Sequence, residues 1–241
     1  MIFIYQYFMV VYIKTIYGGL FWFLFVKKKK EVILLLVYIL FTVLQLGILP
    51  IAIVSLITGI DLLSSTFLLF LINLGIPSIC GIVMFQNEII YSLSYFKEKT
   101  LIKVISIPLV IGLIVFIESS LMKIFFSEGT IGNQDVLLDM KNTVPLWVII
   151  VLFSVLGPIV EELIFRLILV GSFSEKIGVP AASIISIFIF TFMHTQQPID
   201  YLIYTPGAII LTLSYLLSDR SLAYVMIIHV TNNFLGFNNK L

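Results

Sequence analysis

The sequence predicts an all-α fold, a polytopic transmembrane bundle of about eight helical spans, and three observations carry that prediction. Of the 241 residues, 61% are hydrophobic and 11% charged, against roughly 45–50% and 25% in an ordinary soluble domain. Mean hydropathy is +1.17, and the apolar residues collect in runs of about 20, the length a helix needs to cross a bilayer. These runs are too long and too little alternating for barrel strands, and a backbone in lipid must satisfy its own hydrogen bonds, which leaves helices. With 21 Phe and 11 Tyr the chain has ample surface to bury, which excludes disorder.

Cutting at charges and turn residues places the spans at about 3–26, 32–58, 64–85, 104–126, 146–171, 179–197, 201–217 and 221–238. The first carries its charge, Lys27 to Lys30, after the apolar run and lacks a small-residue cleavage pattern, so it reads as a span rather than a removable signal peptide. Lys14 inside the run makes it the least secure of the eight. Pro50, Pro77, Pro108, Pro158 and Pro206 fall inside spans, where proline kinks a helix without abolishing it. Asn73 in the third span reads as an interhelical hydrogen-bonding residue, and Gly75 in the third and Gly207 in the seventh as close-packing or kink positions. Between the third and fourth spans, Gln86 to Leu101 mixes apolar and charged residues and fits an amphipathic segment on the membrane face or an ordinary connecting loop. The longest polar connector, Ser127 to Thr143, holds Gly129 and Gly132 and reads as a flexible loop. No internal repeat or linker divides the chain, so residues 1–241 are expected to form a single integral membrane domain.

The basic residues orient the bundle. If Lys27 to Lys30 face the cytoplasm, alternation puts Lys97, Lys99, Lys103, Lys176 and Arg220 on the same side, and Asp61, Glu128, Asp135, Asp139 and Asp200 on the other. Lys123 and Lys141 run against the bias. Both termini are then external. A net charge of +1, with no basic tract beyond Lys27 to Lys30, gives nucleic acid nothing to bind. One cysteine, Cys80, in an apolar stretch excludes an intramolecular disulfide framework and a cysteine-based zinc site.

Charged residues inside a span cost about 2.5–3.5 kcal/mol each at a helix centre, so they are retained for a reason. The fifth span holds Glu161, Glu162 and Arg166 together. Glu162 and Arg166 are four apart with the acid first, the favourable order for an ion pair on one helix face. Glu161 has Phe165 at its own i+4 position, is left without a cation there, and is the candidate proton acceptor. The bland alternative is one buried network that glues helices together. The two histidines of the chain, His194 near the end of the sixth span and His229 in the eighth, weigh against it, and Asn233 follows His229 on the same face. Counted along their helices, Glu161, His194 and His229 lie about 15, 22 and 12 Å deep, a spread that helix tilt can close into one pocket.

The motifs Glu161-Glu162-x-x-x-Arg166, Phe190-x-x-x-His194 and His229-x-x-x-Asn233, in this order and on such spans, resemble the CPBP family of CAAX prenyl proteases and bacteriocin-processing or self-immunity proteins, also called the Abi family. The resemblance covers about residues 146–238, the expected catalytic core, and the first four spans carry no matching signature. It implies an intramembrane endopeptidase in which Glu161 is the catalytic acid/base and Glu162 and Arg166 shape the site. His194 would help position water, and His229 and Asn233 would stabilise the oxyanion. The chemistry is coherent, because a glutamate can deprotonate water while histidine and asparagine donors stabilise the charge that develops on the carbonyl.

Two cofactor expectations stay open. Glu161, His194 and His229 can supply the three protein ligands of a catalytic zinc. No HExxH pair is present, and a metal-free glutamate mechanism explains the same residues. The expected substrate is a membrane-embedded or amphipathic peptide, or a lipidated C-terminus, and the expected location is the plasma membrane of a bacterium. The rival reading is a non-catalytic immunity or scaffold protein that binds a peptide or partner through the same polar cluster. A transporter also places Glu and His at the midplane, and the lack of a repeat between halves disfavours it.

Overall fold

The computed structural model describes residues 29–98, 100–125 and 144–238, and these form an all-α bundle with no strand among them. Helix α1 is Lys29–Tyr38, running on as a π-helical turn over Ile39–Val43, and α2 is Ile48–Thr58. Helix α3 is Thr66–Ser92, continued by a 3₁₀ turn over Leu93–Lys97, and α4 is Thr100–Phe125. The long α5 covers Leu146–Ile177. It is followed by α6 at Val179–His194, α7 at Asp200–Leu217 and α8 at Leu222–Asn238.

Among the described residues, four helices (α3 with its 3₁₀ turn, α4, α5 and α7) are long and apolar enough to cross a membrane, or five if α1 and α2 count as one bent span. Helices α6 and α8, which correspond to the expected spans 179–197 and 221–238, are apolar but shorter. The first expected span, 3–26, and the loop Ser127 to Thr143 lie outside the described residues.

Three boundaries are corrected. The span expected at 32–58 is broken and bends by 58° between α1 and α2. Gln45 adopts a left-handed φ of 52° there, and the Gly47 N–H, released from regular helix bonding, donates to Asn73 Oδ1 at 2.9 Å. Thr42 Oγ1 adds a bond to the Asn73 carbonyl at 2.9 Å, so Asn73 does tie helices together. The third span does not stop at 85. After a kink at Phe85 (φ −116°, ψ 19°) helix α3 runs on to Ser92, where Glu88 pairs with Lys30 of α1 at 3.0 Å, so most of the amphipathic stretch is the end of a membrane helix. Likewise the fifth span extends past 171 to Ile177, where Gly178, at a φ of 82°, ends it and Pro180 opens α6.

Helix α5 is the axis of the bundle. It alternates between windings: α over Leu146–Ile150, π over Val151–Leu156, α over Gly157–Glu162 and π over Leu163–Ser172. Val160, Leu163, Phe165 and Val170 are buried at its centre against Leu34 of α1, Phe85 of α3 and Val225 and Ile228 of α8. In lipid such packing comes from close van der Waals fit rather than from exclusion of water. Gly81 lets α3 approach, because a Cβ there would press on Leu163 and Leu34. The ends are clipped by serines: Ser221 Oγ donates to the Ser92 carbonyl at 2.9 Å, and the Ala223 N–H donates to Ser92 Oγ at 2.9 Å. That clip fixes α8, and with it His229, against α3.

Candidate active site

The α-helical turn Gly157–Glu162 presents Glu161 and Glu162 at the point where α5 changes to π winding. Local π-helical turns inside helices frequently accompany functional sites. Glu162 and Arg166 are both fully buried, and Glu162 Oε1 lies 3.1 Å from Arg166 Nη1, the pair the spacing predicts. The guanidinium also donates to the Ala208 carbonyl of α7 at 3.4 Å and sits 4.8 Å from the Phe190 ring centre of α6. A buried charge is tolerated only with such partners.

His229, on α8, is buried, and its Nδ1 lies 2.7 Å from Glu162 Oε1. A carboxylate only accepts, so Nδ1 carries the proton and Nε2 presents its lone pair. That Nε2 lies 3.7 Å from Glu161 Oε2. His194, at the last position of α6, has Nδ1 2.7 Å from the Phe190 carbonyl, which again fixes the proton on Nδ1. Its Nε2 faces Glu161 Oε1 at 3.7 Å. The two imidazoles therefore present their Nε2 atoms to the two oxygens of one carboxylate, at separations too long for hydrogen bonds. Glu161 Oε2 and Glu162 Oε2 are buried acceptors without a hydrogen-bond partner.

Phe190 organises this arrangement. Its ring stacks on His194 with centroids 4.3 Å apart, stands 5.8 Å from the His229 ring and meets Phe165 edge-on at 5.1 Å. Tyr204 of α7 closes the far side of His194, with ring centroids 5.5 Å apart. The structure thus brings together Glu161, Glu162, Arg166, His194 and His229. Asn233, one turn after His229 on α8, donates from Nδ2 to the Phe153 carbonyl of α5 at 3.5 Å.

Two neighbours of the site were missed by sequence reasoning. Asp200, expected on the external side of the membrane, is fully buried. Its Oδ2 accepts from the backbone N–H groups of Gln196 and Gln197 at 2.9 and 3.1 Å, which holds the turn that follows His194. An acid at the start of an apolar helical run is a helix N-terminus signal, and it was legible. Tyr38 of α1, packed edge-on against Phe165, carries no comparable signal, because one tyrosine among 11 has nothing to single it out.

A carboxylate and two imidazole lone pairs, each ring braced through its other nitrogen, are the donor chemistry of a zinc site. The two Nε2 atoms each stand 3.7 Å from Glu161, one from each carboxylate oxygen. Among the described residues no group of three or more His, Cys, Asp or Glu side chains has the geometry to hold a metal ion.

Residues 143–235 match the family model described as type II CAAX prenyl endopeptidase Rce1-like. "Putative membrane peptidase YdiL" of Bacillus subtilis (strain 168) is 41% identical over 64 residues, 27% of this chain and 25% of that protein. "UPF0177 protein YbdI" of Lactococcus lactis subsp. lactis (strain IL1403) is 36% identical over 76 residues, 32% of this chain and 40% of that protein. The chain thus spans less than half the length of the curated relatives it matches. No solved structure matches. The likeness to the CPBP family carried by the three motifs holds over the matched residues, which contain Glu161, Glu162, Arg166, His194, His229 and Asn233.

Proposed function

We propose that this membrane protein is an intramembrane endopeptidase that hydrolyses a peptide bond in a membrane-associated peptide or lipidated C-terminus, using a water activated by Glu161. The observation that carries the reading is the pair of 3.7 Å gaps between Glu161 and the Nε2 atoms of His194 and His229. A water bound there donates one proton to Glu161 and the other to one of the two Nε2 atoms, which turns an oxygen lone pair toward a bound carbonyl. As the oxygen attacks the carbonyl carbon, Glu161 takes one proton. It then passes that proton to the amide nitrogen as the C–N bond breaks, releasing a carboxylate and an amine. Glu162 acts through His229, fixing its tautomer and ring direction, and Arg166 holds Glu162 in place across 3.1 Å.

Zinc bound by Glu161, His194 and His229 is a second reading, favoured by the two braced tautomers. The charge bias, alternated over eight spans, supports both termini external, and a bacterial plasma membrane is the proposed location. The test uses purified protein in liposomes with a pool of apolar peptides. Cleavage by wild type, none by Glu161→Gln, and full activity after dialysis against a chelator are expected. Loss of activity on chelation with recovery on adding zinc establishes the second reading, and cleavage by Glu161→Gln overturns both. Peptide binding without cleavage by either protein supports an immunity or scaffold role instead.

A further inference from the structure

We propose that Asp200 is a positioning residue for hydrolysis at Glu161: it pins the turn that follows His194 and so keeps the His194 imidazole aimed at Glu161. The inference rests on the hydrolytic reading of the site.

His194 is the member of the cluster that its own surroundings hold least. It is the last residue of α6, and the chain leaves the helix at once, with Thr195 extended (φ −97°, ψ 134°). Its side chain is 23% exposed, against 5% for His229 and 0% for Glu162 and Arg166. The stack on Phe190 and the bond from Nδ1 to the Phe190 carbonyl both lie within α6. Helix ends fray unless their terminal groups are bound elsewhere. The aim of Nε2 at Glu161 Oε1, 3.7 Å away, therefore depends on an anchor beyond residue 194.

Asp200 is that anchor. Its Oδ2 accepts from the backbone N–H of Gln196 at 2.9 Å and of Gln197 at 3.1 Å, the second and third residues after His194. The Asp200 N–H closes the same turn on the Gln197 carbonyl at 3.0 Å. Asp200 opens α7, and Tyr204 and Ala208 follow it on one face of that helix. The Tyr204 ring packs on His194 with centroids 5.5 Å apart, and the Ala208 carbonyl accepts from the Arg166 guanidinium at 3.4 Å. One face of α7 thus backs both His194 and Arg166, although none of the three sequence motifs lies on α7. Asp200 is fully buried, and among the described residues its Oδ1 is a buried acceptor without a hydrogen-bond partner. An unmet buried acceptor costs stability, so packing does not account for an acid here. What accounts for it is the other oxygen, because a carboxylate accepts from backbone N–H groups about twice as strongly as a neutral acceptor does.

The experiment uses purified full-length wild type, Asp200→Ala, Asp200→Asn and Glu161→Gln in phosphatidylcholine–phosphatidylglycerol liposomes, with a pool of synthetic apolar peptides read by mass spectrometry. The chain has two histidines, so nitrogen NMR of isotope-labelled histidine follows each ring separately, and His194→Gln identifies the signals of His194. In Asp200→Ala the His194 ring signals should move toward the average of the two tautomers, while those of His229, held by Glu162, stay in place. For a peptide that wild type cleaves, kcat should fall about 10- to 10²-fold, with KM within about twofold. Asparagine keeps an oxygen acceptor and should bring kcat back to within about threefold of wild type. Unchanged His194 signals, or an unchanged kcat, overturn the inference and leave the hydrolytic reading standing. Shifts of both histidines make Asp200 a general packing residue and overturn it too. If Asp200→Ala does not fold, Asp200→Asn decides: its weaker acceptor should still shift the His194 signals and lower kcat, and a wild-type value for either overturns the inference. If wild type cleaves no peptide faster than Glu161→Gln does, the hydrolytic reading falls and takes the inference with it.

Discussion

His229 donates from Nδ1 to Glu162 Oε1 at 2.7 Å, and the same oxygen lies 3.1 Å from Arg166 Nη1. One buried carboxylate oxygen thus joins the ion pair inside α5 to the imidazole on α8. The ion pair is not an isolated stabilising contact: it sets which nitrogen of His229 is turned toward Glu161.

Arg166→Leu is therefore expected to act on stability and on the site together. Removing one partner of a buried pair strands the other charge and costs about 3–5 kcal/mol, read as a lower melting temperature in detergent. An unchanged melting temperature would mean that Arg166 does not hold Glu162.

The contrast between that pair and its surroundings shows what the sequence makes legible. An acid and a base four residues apart on one helix need only helical geometry to meet, so Glu162 and Arg166 could be read directly. The meeting of Glu161 with His194 and His229 depends on the arrangement of α5, α6 and α8, and the sequence supplied only comparable depths and a family likeness. The break after Val43 was hidden for another reason. Pro50 marks disturbance in the span, but the bend is made before it, by the Gln45 backbone and by the bond from Gly47 to Asn73 on a distant helix. The π turns of α1 and α5 leave no residue pattern, since they shift hydrogen-bond register without changing which residues are apolar. The charge pattern assigns Asp200 to a side of the membrane and carries nothing about the turn after His194 that encloses it.

Gly47→Ala tests the bend. Gly47 has an ordinary helical φ of −58°, so alanine suits the backbone, but its Cβ would overlap Asn73 Oδ1 and crowd Ile72 Cγ2. The expected cost is about 1–3 kcal/mol, as for other overpacked positions. A neutral effect on thermal melting would show that α2 and α3 are free to separate there.

The turn between α7 and α8 carries strain that substitution should relieve. Asp219 and Arg220 adopt successive left-handed conformations, with φ of 53° and 59°, and the Arg220 N–H closes the turn on the Tyr215 carbonyl at 2.9 Å. A non-glycine residue there costs about 1–2 kcal/mol, of which glycine gives part back through its greater freedom in the unfolded chain. Arg220→Gly is expected to raise stability by about 0.5–1 kcal/mol. A fall in melting temperature would show that the arginine side chain makes a contact worth more than the strain.

The most direct test of Glu161 as the group that activates water compares wild type with Glu161→Gln, expressed in the same membranes, by mass spectrometry of small membrane-associated peptides. Glutamine is nearly isosteric but takes no proton. The expected result is a peptide trimmed in wild type and left intact in the mutant, with both proteins equally folded. Identical peptide profiles from two equally folded proteins would contradict it.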